Sequence, residues 1–100
     1  MADYFIPVDD DRIRKEKAKA RELRASQWWK RKRSSGVCYY CGNRFKPSEL
    51  TMDHLVPLTR GGKSVQGNLV PACKECNNKK KYLLPMEWEE HLKRTHEDKE

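Results

Sequence analysis

No apolar run in this 100-residue chain approaches the length of a membrane span, and the N-terminus has no signal-peptide core. The expected location is therefore the cytoplasm, where thiols are kept reduced and disulfides are rare. Apolar residues are also scarce: 36% are hydrophobic against 37% charged, and both ends are poor in them. That excludes more than one domain and leaves a compact unit too small to bury a secure core unaided. Such units need a staple, either a metal or disulfides. No internal repeat is visible, and the only compositionally biased stretch is rich in Lys and Arg.

What the chain has instead is charge, unevenly placed. The formal net charge is +7. Residues 1–11 carry four acids and no base, whereas residues 12–33 carry eleven bases against Glu16 and Glu22. Residues 34–86 are net basic, and the tail from Glu87 turns acidic. A basic segment beside a basic core is the electrostatic footprint of a nucleic-acid binder, although a basic solvated face is common in soluble proteins.

The chain divides into an acidic N-terminal tail (1–11), a basic helix or arm (12–36), a core (37–84), and a C-terminal helix with a charged tail (85–100). Arg12 to Arg33 lacks Gly and Pro, follows three aspartates and ends in bases, which suits one long helix with Gly36 as its stop. Its apolar stripe is thin, so a flexible basic arm fits equally well. Trp28 and Trp29 are expected to dock its far end. Leu50 to Val56 and Asn68 to Ala72 read as short strands, with Thr59 to Gly67 as a polar loop. Lys74 to Leu84 reads as a short helix, and Met86 to His96 as another, with Met86, Trp88 and Leu92 available for packing.

Cys38-x-x-Cys41 and Cys73-x-x-Cys76 form the sharpest local signal. Two-residue spacing lets both thiolates of a turn reach one tetrahedral Zn²⁺, and two such turns close the site. A closed four-thiolate site is structural. Disulfides disagree with the expected compartment, and a redox pair leaves the second turn unexplained. The pairs are separated by 31 residues, against about 15–20 in a simple zinc ribbon. The additional length holds Asp53-His54 and Asn68, with Asn77 directly after Cys76.

Taken in order, Cys38-Tyr39-Tyr40-Cys41-Gly42, Asp53-His54-Leu55-Val56-Pro57-Leu58, Arg60-Gly61-Gly62, Asn68-Leu69-Val70 and Cys73-Lys74-Glu75-Cys76-Asn77 with Lys80 resemble the HNH nucleases of the ββα-metal (His-Me finger) group. The resemblance covers Val37 to about Lys81. It implies an α+β fold, a two-stranded antiparallel hairpin plus helix, here stapled by a four-cysteine zinc site. It also implies that His54 is the general base, that Asp53 and Asn77 hold a catalytic divalent ion, and that Asn68 ties the loop to the hairpin. Many relatives carry His where Asn77 stands; the harder oxygen donor favours Mg²⁺ or Mn²⁺.

Elementary chemistry asks for the same residue types. Hydrolysis of a phosphodiester needs a water activated near neutral pH, and histidine titrates there. Mg²⁺ takes one or two protein oxygens and keeps positions for water and phosphate. Neighbours on a strand point to opposite faces, so of Asp53 and His54 one can ligate a metal while the other addresses a water from a different direction.

The expected activity is endonucleolytic cleavage of DNA, double-stranded in the simplest case. Lys80, Arg60, Lys63, Arg31 and Arg33 are the candidate phosphate contacts, with solvated charge the competing reading for Lys80. No dedicated reader of bases is visible, so specificity is expected to be weak or borrowed from a partner protein. The alternative is a non-catalytic zinc module that binds nucleic acid, which leaves Asp53-His54 and Asn77 unexplained. His91 and His96, spaced by five, do not share a helical face and are read as surface residues. Gly61-Gly62 is too short for a phosphate cradle and is read as serving the loop's turns.

Overall fold

In the computed structural model the backbone of residues 9–98 is described, with side chains as far as Arg94. Residues 1–8 of the expected acidic tail, and the side chain of His96, lie outside the described residues.

The aspartates open helix α1 (Asp10–Arg24): the Asp9 carboxylate accepts from the Asp11 N–H at 3.1 Å, while Asp10 and Asp11 occupy the first turn and Arg21 and Arg24 the last. That charge order complements the helix dipole. The single helix expected through Arg33 is broken at Ala25-Ser26. The Ser26 hydroxyl donates to the Leu23 carbonyl at 2.6 Å and accepts from the Trp29 N–H at 3.3 Å, ending α1 and capping α2 (Gln27–Arg33). A serine that satisfies its backbone neighbours locally is a frequent cap and a poor interior helix residue. The bend lets Trp29 become buried, while Trp28 stays half-buried with Lys32 5.7 Å from its ring centre. Nor is α1 a loose arm. Ile13, Glu16, Ala20 and Leu23, spaced as one helical face, are buried or half-buried, as is Arg12, and the helix packs on the turn at Leu58–Arg60.

Strands β1 (Thr51–His54) and β2 (Leu69–Ala72) pair antiparallel, with Thr51 opposite Ala72 and His54 opposite Leu69. β1 is shorter than the expected Leu50–Val56 because the chain turns after His54. There the Val56 N–H donates to Asn68 Oδ1 at 2.9 Å, and Asn68 Nδ2 donates to the Val56 and Lys63 carbonyls. Asn68 thus clamps both ends of the connecting loop. Gly62 sits where a Cβ would fall 1.8 Å from the Val56 carbonyl oxygen, so no larger residue fits without moving the backbone.

Helix α3 (Lys74–Lys80) lies against β1, and α4 (Pro85–Asp98) follows. α3 is shorter than the Lys74–Leu84 span expected of it, ending at Lys80, after which Lys81 takes a positive φ of 45°. Of the three residues expected to seat α4, Trp88 is buried, packing edge-on to Tyr40, whereas Met86 and Leu92 are exposed. The hydrophobic core is small: Leu50 and Ala72 pack with Cys38, Cys73 and Cys76, and Tyr40 and Phe45 close over them. Among the described residues, no helix is long and apolar enough to cross a membrane.

Candidate active site and metal centre

The first Cys-x-x-Cys turn is a tight knuckle. Val37 and Arg44 bridge its base, the Cys38 N–H donates to the Asn43 carbonyl at 3.0 Å, and the Gly42 N–H returns to the Cys38 carbonyl at 3.0 Å. Gly42 takes φ 73°, which glycine adopts without a Cβ penalty. The Tyr39 N–H donates to the Pro71 carbonyl at 2.9 Å, hooking the knuckle to β2. The second turn caps α3, with the Cys76 N–H donating to Cys73 Sγ at 3.4 Å.

All four cysteines are free thiols, and their sulfur atoms lie within 4.8 Å of one another; Cys41 and Cys73 are 4.0 Å apart. Sulfurs about 2.3 Å from a tetrahedral Zn²⁺ stand about 3.8 Å apart, so the cluster needs only slight contraction to hold zinc. The thiols themselves show why a cation belongs there. Burial pushes the Cys76 and Cys41 thiols above their usual range. Burial acts the same way on Cys38, but N–H groups of Cys41, Cys73 and Tyr40 outweigh it and bring that thiol down to about 7. Four thiolates this close are stable only around a positive charge, and the soft, closed donor set fits structural zinc.

Asp53 and His54 lie at the end of β1 and line one cleft of about 240 Å³ with Ile13 and Lys17 of α1, Leu58 and Thr59, and Lys81 and Tyr82. His54 is half-buried, and burial holds its imidazole below the usual histidine value, opposed by the Asp53 carboxylate. Its Nε2 stands 2.9 Å from Ser64 Oγ. Asp53, its neighbour on β1, is buried. Its Oδ2 accepts a short hydrogen bond from the Tyr40 hydroxyl and faces Lys80 Nζ at 3.4 Å. Burial and that carboxylate push the Tyr40 phenol above its ordinary range, so Tyr40 is a neutral donor.

Lys80 overturns its expected role as a phosphate contact. It is fully buried, with Nζ 3.2 Å from each of the His54 and Leu55 carbonyl oxygens and 5.7 Å from the Tyr40 ring centre. One ammonium therefore ties α3 to the strand end that carries both candidate residues. Removing one partner of such a pair leaves the other charge buried alone. Lys80→Ala is expected to destabilise the domain by about 3–5 kcal/mol, read as a lower urea midpoint. An unchanged midpoint would show that the pair does not hold the strand end.

The remaining sequence-predicted residues are dispersed. Asn77 is not among the cleft-lining residues; its Nδ2 donates to Thr51 Oγ1 at 3.0 Å, two residues before Asp53 on the same face of β1. Arg60 is engaged rather than available for phosphate. It makes a paired contact with Glu87 at 3.1 and 3.2 Å and donates to the Tyr82 carbonyl, holding the Glu87 carboxyl below its usual range. Lys63 and Arg31 are exposed, and Arg33 is half-buried. Asn78 is exposed, and His91 stacks on Trp88 with ring centres 5.5 Å apart. Sequence patterns missed Tyr40 as a partner of Asp53, Ser64 as a partner of His54, and Lys17 and Lys81 as basic walls of the cleft. Lys81 had one signal, its place at the end of a helix before a prolyl segment.

The short hairpin, the helix that follows it and the cysteine cluster between them define a small α+β domain consistent with the ββα-metal fold. A family model of HNH endonucleases matches residues 38–93, more than half the chain, and the chain belongs to that family. A search of curated proteins finds no match.

Proposed function

We propose that the chain is a metal-dependent endonuclease that hydrolyses DNA phosphodiester bonds, acting in the cytoplasm, where the thiols of its zinc site stay reduced. The observation that carries the reading is the pair Asp53-His54 at one strand end, opening on a cleft walled by Lys17 and Lys81.

His54 is the general base. Its depressed titration keeps the ring neutral near pH 7, ready to take a proton from water. Asp53 and Asn77 are the ligands of a divalent ion. Tyr40 and Lys80 both use Oδ2 of Asp53, so Oδ1 is the oxygen left for a cation. Asn77 gives its Nδ2 to Thr51, so Oδ1 is the amide atom that would serve the ion. These hard oxygen donors fit Mg²⁺ or Mn²⁺, which when bound stabilises charge on the phosphate and on the leaving 3′ oxygen. Lys17 and Lys81 hold the strand electrostatically, with Lys63, Arg31 and Arg33 as outer contacts.

The test is cleavage of supercoiled plasmid by zinc-loaded protein with Mg²⁺ or Mn²⁺. Conversion to nicked or linear DNA that depends on the added Mg²⁺ or Mn²⁺ is the expected result. No cleavage of any plasmid or linear duplex would favour a non-catalytic nucleic-acid module. Binding should also be strongly salt-dependent. With about five phosphate contacts, raising salt from about 50 to about 200 mM is expected to weaken affinity by a few hundred-fold. Affinity indifferent to salt would contradict the electrostatic reading.

A further inference from the structure

Two residues outside the expected site meet at His54. Ser64 and Glu16 are 4% and 6% exposed, and 48 residues of chain separate them. The Ser64 N–H donates to Glu16 Oε1 at 2.6 Å, and the Ser64 hydroxyl lies 2.6 Å from the Glu16 backbone carbonyl oxygen. The same hydroxyl oxygen is 2.9 Å from His54 Nε2.

A serine hydroxyl has one proton, and a carbonyl oxygen can only accept. At 2.6 Å that proton must lie between Ser64 and Glu16. Ser64 therefore meets His54 with a lone pair, and Nε2 is the ring nitrogen that carries hydrogen. In the neutral imidazole the remaining lone pair is on Nδ1. Glu16 sets the arrangement from both sides: its carboxylate seats the Ser64 backbone, and its carbonyl takes the Ser64 proton. It belongs to α1, which lies before the matched region of residues 38–93.

We propose that Ser64 and Glu16 are positioning residues that fix the His54 ring as its Nε2–H tautomer, so that Nδ1 is the nitrogen that accepts the proton of the attacking water. The tautomer follows from the contacts themselves; its use in catalysis rests on the nuclease reading above.

The experiment is nitrogen-15 NMR of the histidine side chains in the full zinc-loaded chain above the imidazole titration range, with His54→Gln identifying the signal. Expected is an Nε2–H form whose proton exchanges slowly with water. Ser64→Ala and Glu16→Ala should each lose that protection and lower kcat about tenfold, with KM changed by less than about twofold. Glu16→Gln, whose amide oxygen can still accept from the Ser64 N–H, should retain the protection and most of kcat. Circular dichroism and zinc content separate these effects from unfolding, and Ser64→Ala decides the matter if Glu16→Ala does not fold. An Nδ1–H form in the native protein would overturn the proposal. So would unchanged exchange in both alanine variants. If the native chain cleaves no DNA, the nuclease reading fails while the tautomer is still decided by NMR.

Discussion

His54→Ala is expected to lower the single-turnover rate of plasmid cleavage by about 10²–10⁴-fold, the usual contribution of a positioned general base, while leaving DNA affinity within about twofold. The asymmetry follows from where the residue sits. His54 ends β1, its ring is half-buried in the cleft, and the basic side chains expected to bind phosphate are on α1 and at the end of α3. Alanine keeps the strand pairing with Leu69 and removes only the ring and its contact with Ser64. The backbone carbonyl that Lys80 uses is unaffected. Fluorescence anisotropy on a labelled duplex reads binding, and rapid-quench sampling reads the chemical step. Equal loss of both would mean that the substitution damaged the fold. Retention of both would move the base elsewhere.

Removing zinc is expected to abolish the folded state altogether. Three of the four cysteines belong to the small core with Leu50 and Ala72, so the staple and the core are one object. Structural zinc contributes about 10–16 kcal/mol in small metal-folded domains at neutral pH. Net stabilities of domains this size are about 5–15 kcal/mol, so little is left without the ion. Excess chelator, or Cys76→Ser, should collapse the far-ultraviolet dichroism and the cooperative melt. Metal analysis should give one zinc per chain before treatment. A chelated protein that still melts cooperatively would assign the stability to packing and the cysteines to another role.

What could be read from the sequence was whatever is local. Two-residue cysteine spacing, an Asp-His pair in a short apolar run and an asparagine at a loop's end each announce their geometry within a few residues. Asn68 and Gly62 occupy the turn-forming places their chemistry suggests. The misreadings arose where a residue's partner is distant. Lys80 looked like one more base on a lysine-rich helix because its partners, Asp53 and the His54 and Leu55 carbonyls, are 25 or more residues away. Glu16 looked like a minority acid in a basic stretch because Ser64 is 48 residues off. Ser26 is different: its break is local, but one serine between helix-favouring neighbours does not outweigh the surrounding pattern until Trp29 finds a place to bury. Asn77 follows Cys76 as the family pattern has it, and only the fold shows its amide donating to Thr51.

The two halves of the cleft are secured by the helices on either side of the hairpin in sequence. His54 is held through Ser64 by a helix that precedes the hairpin, whereas Asp53 is held by Lys80 of the helix that follows it. A fragment ending before Lys80 therefore keeps the contacts of His54 but lacks the ammonium that fixes Asp53 and the strand end. Neither flanking helix alone braces both residues, so the strand end keeps its geometry only when both helices are docked.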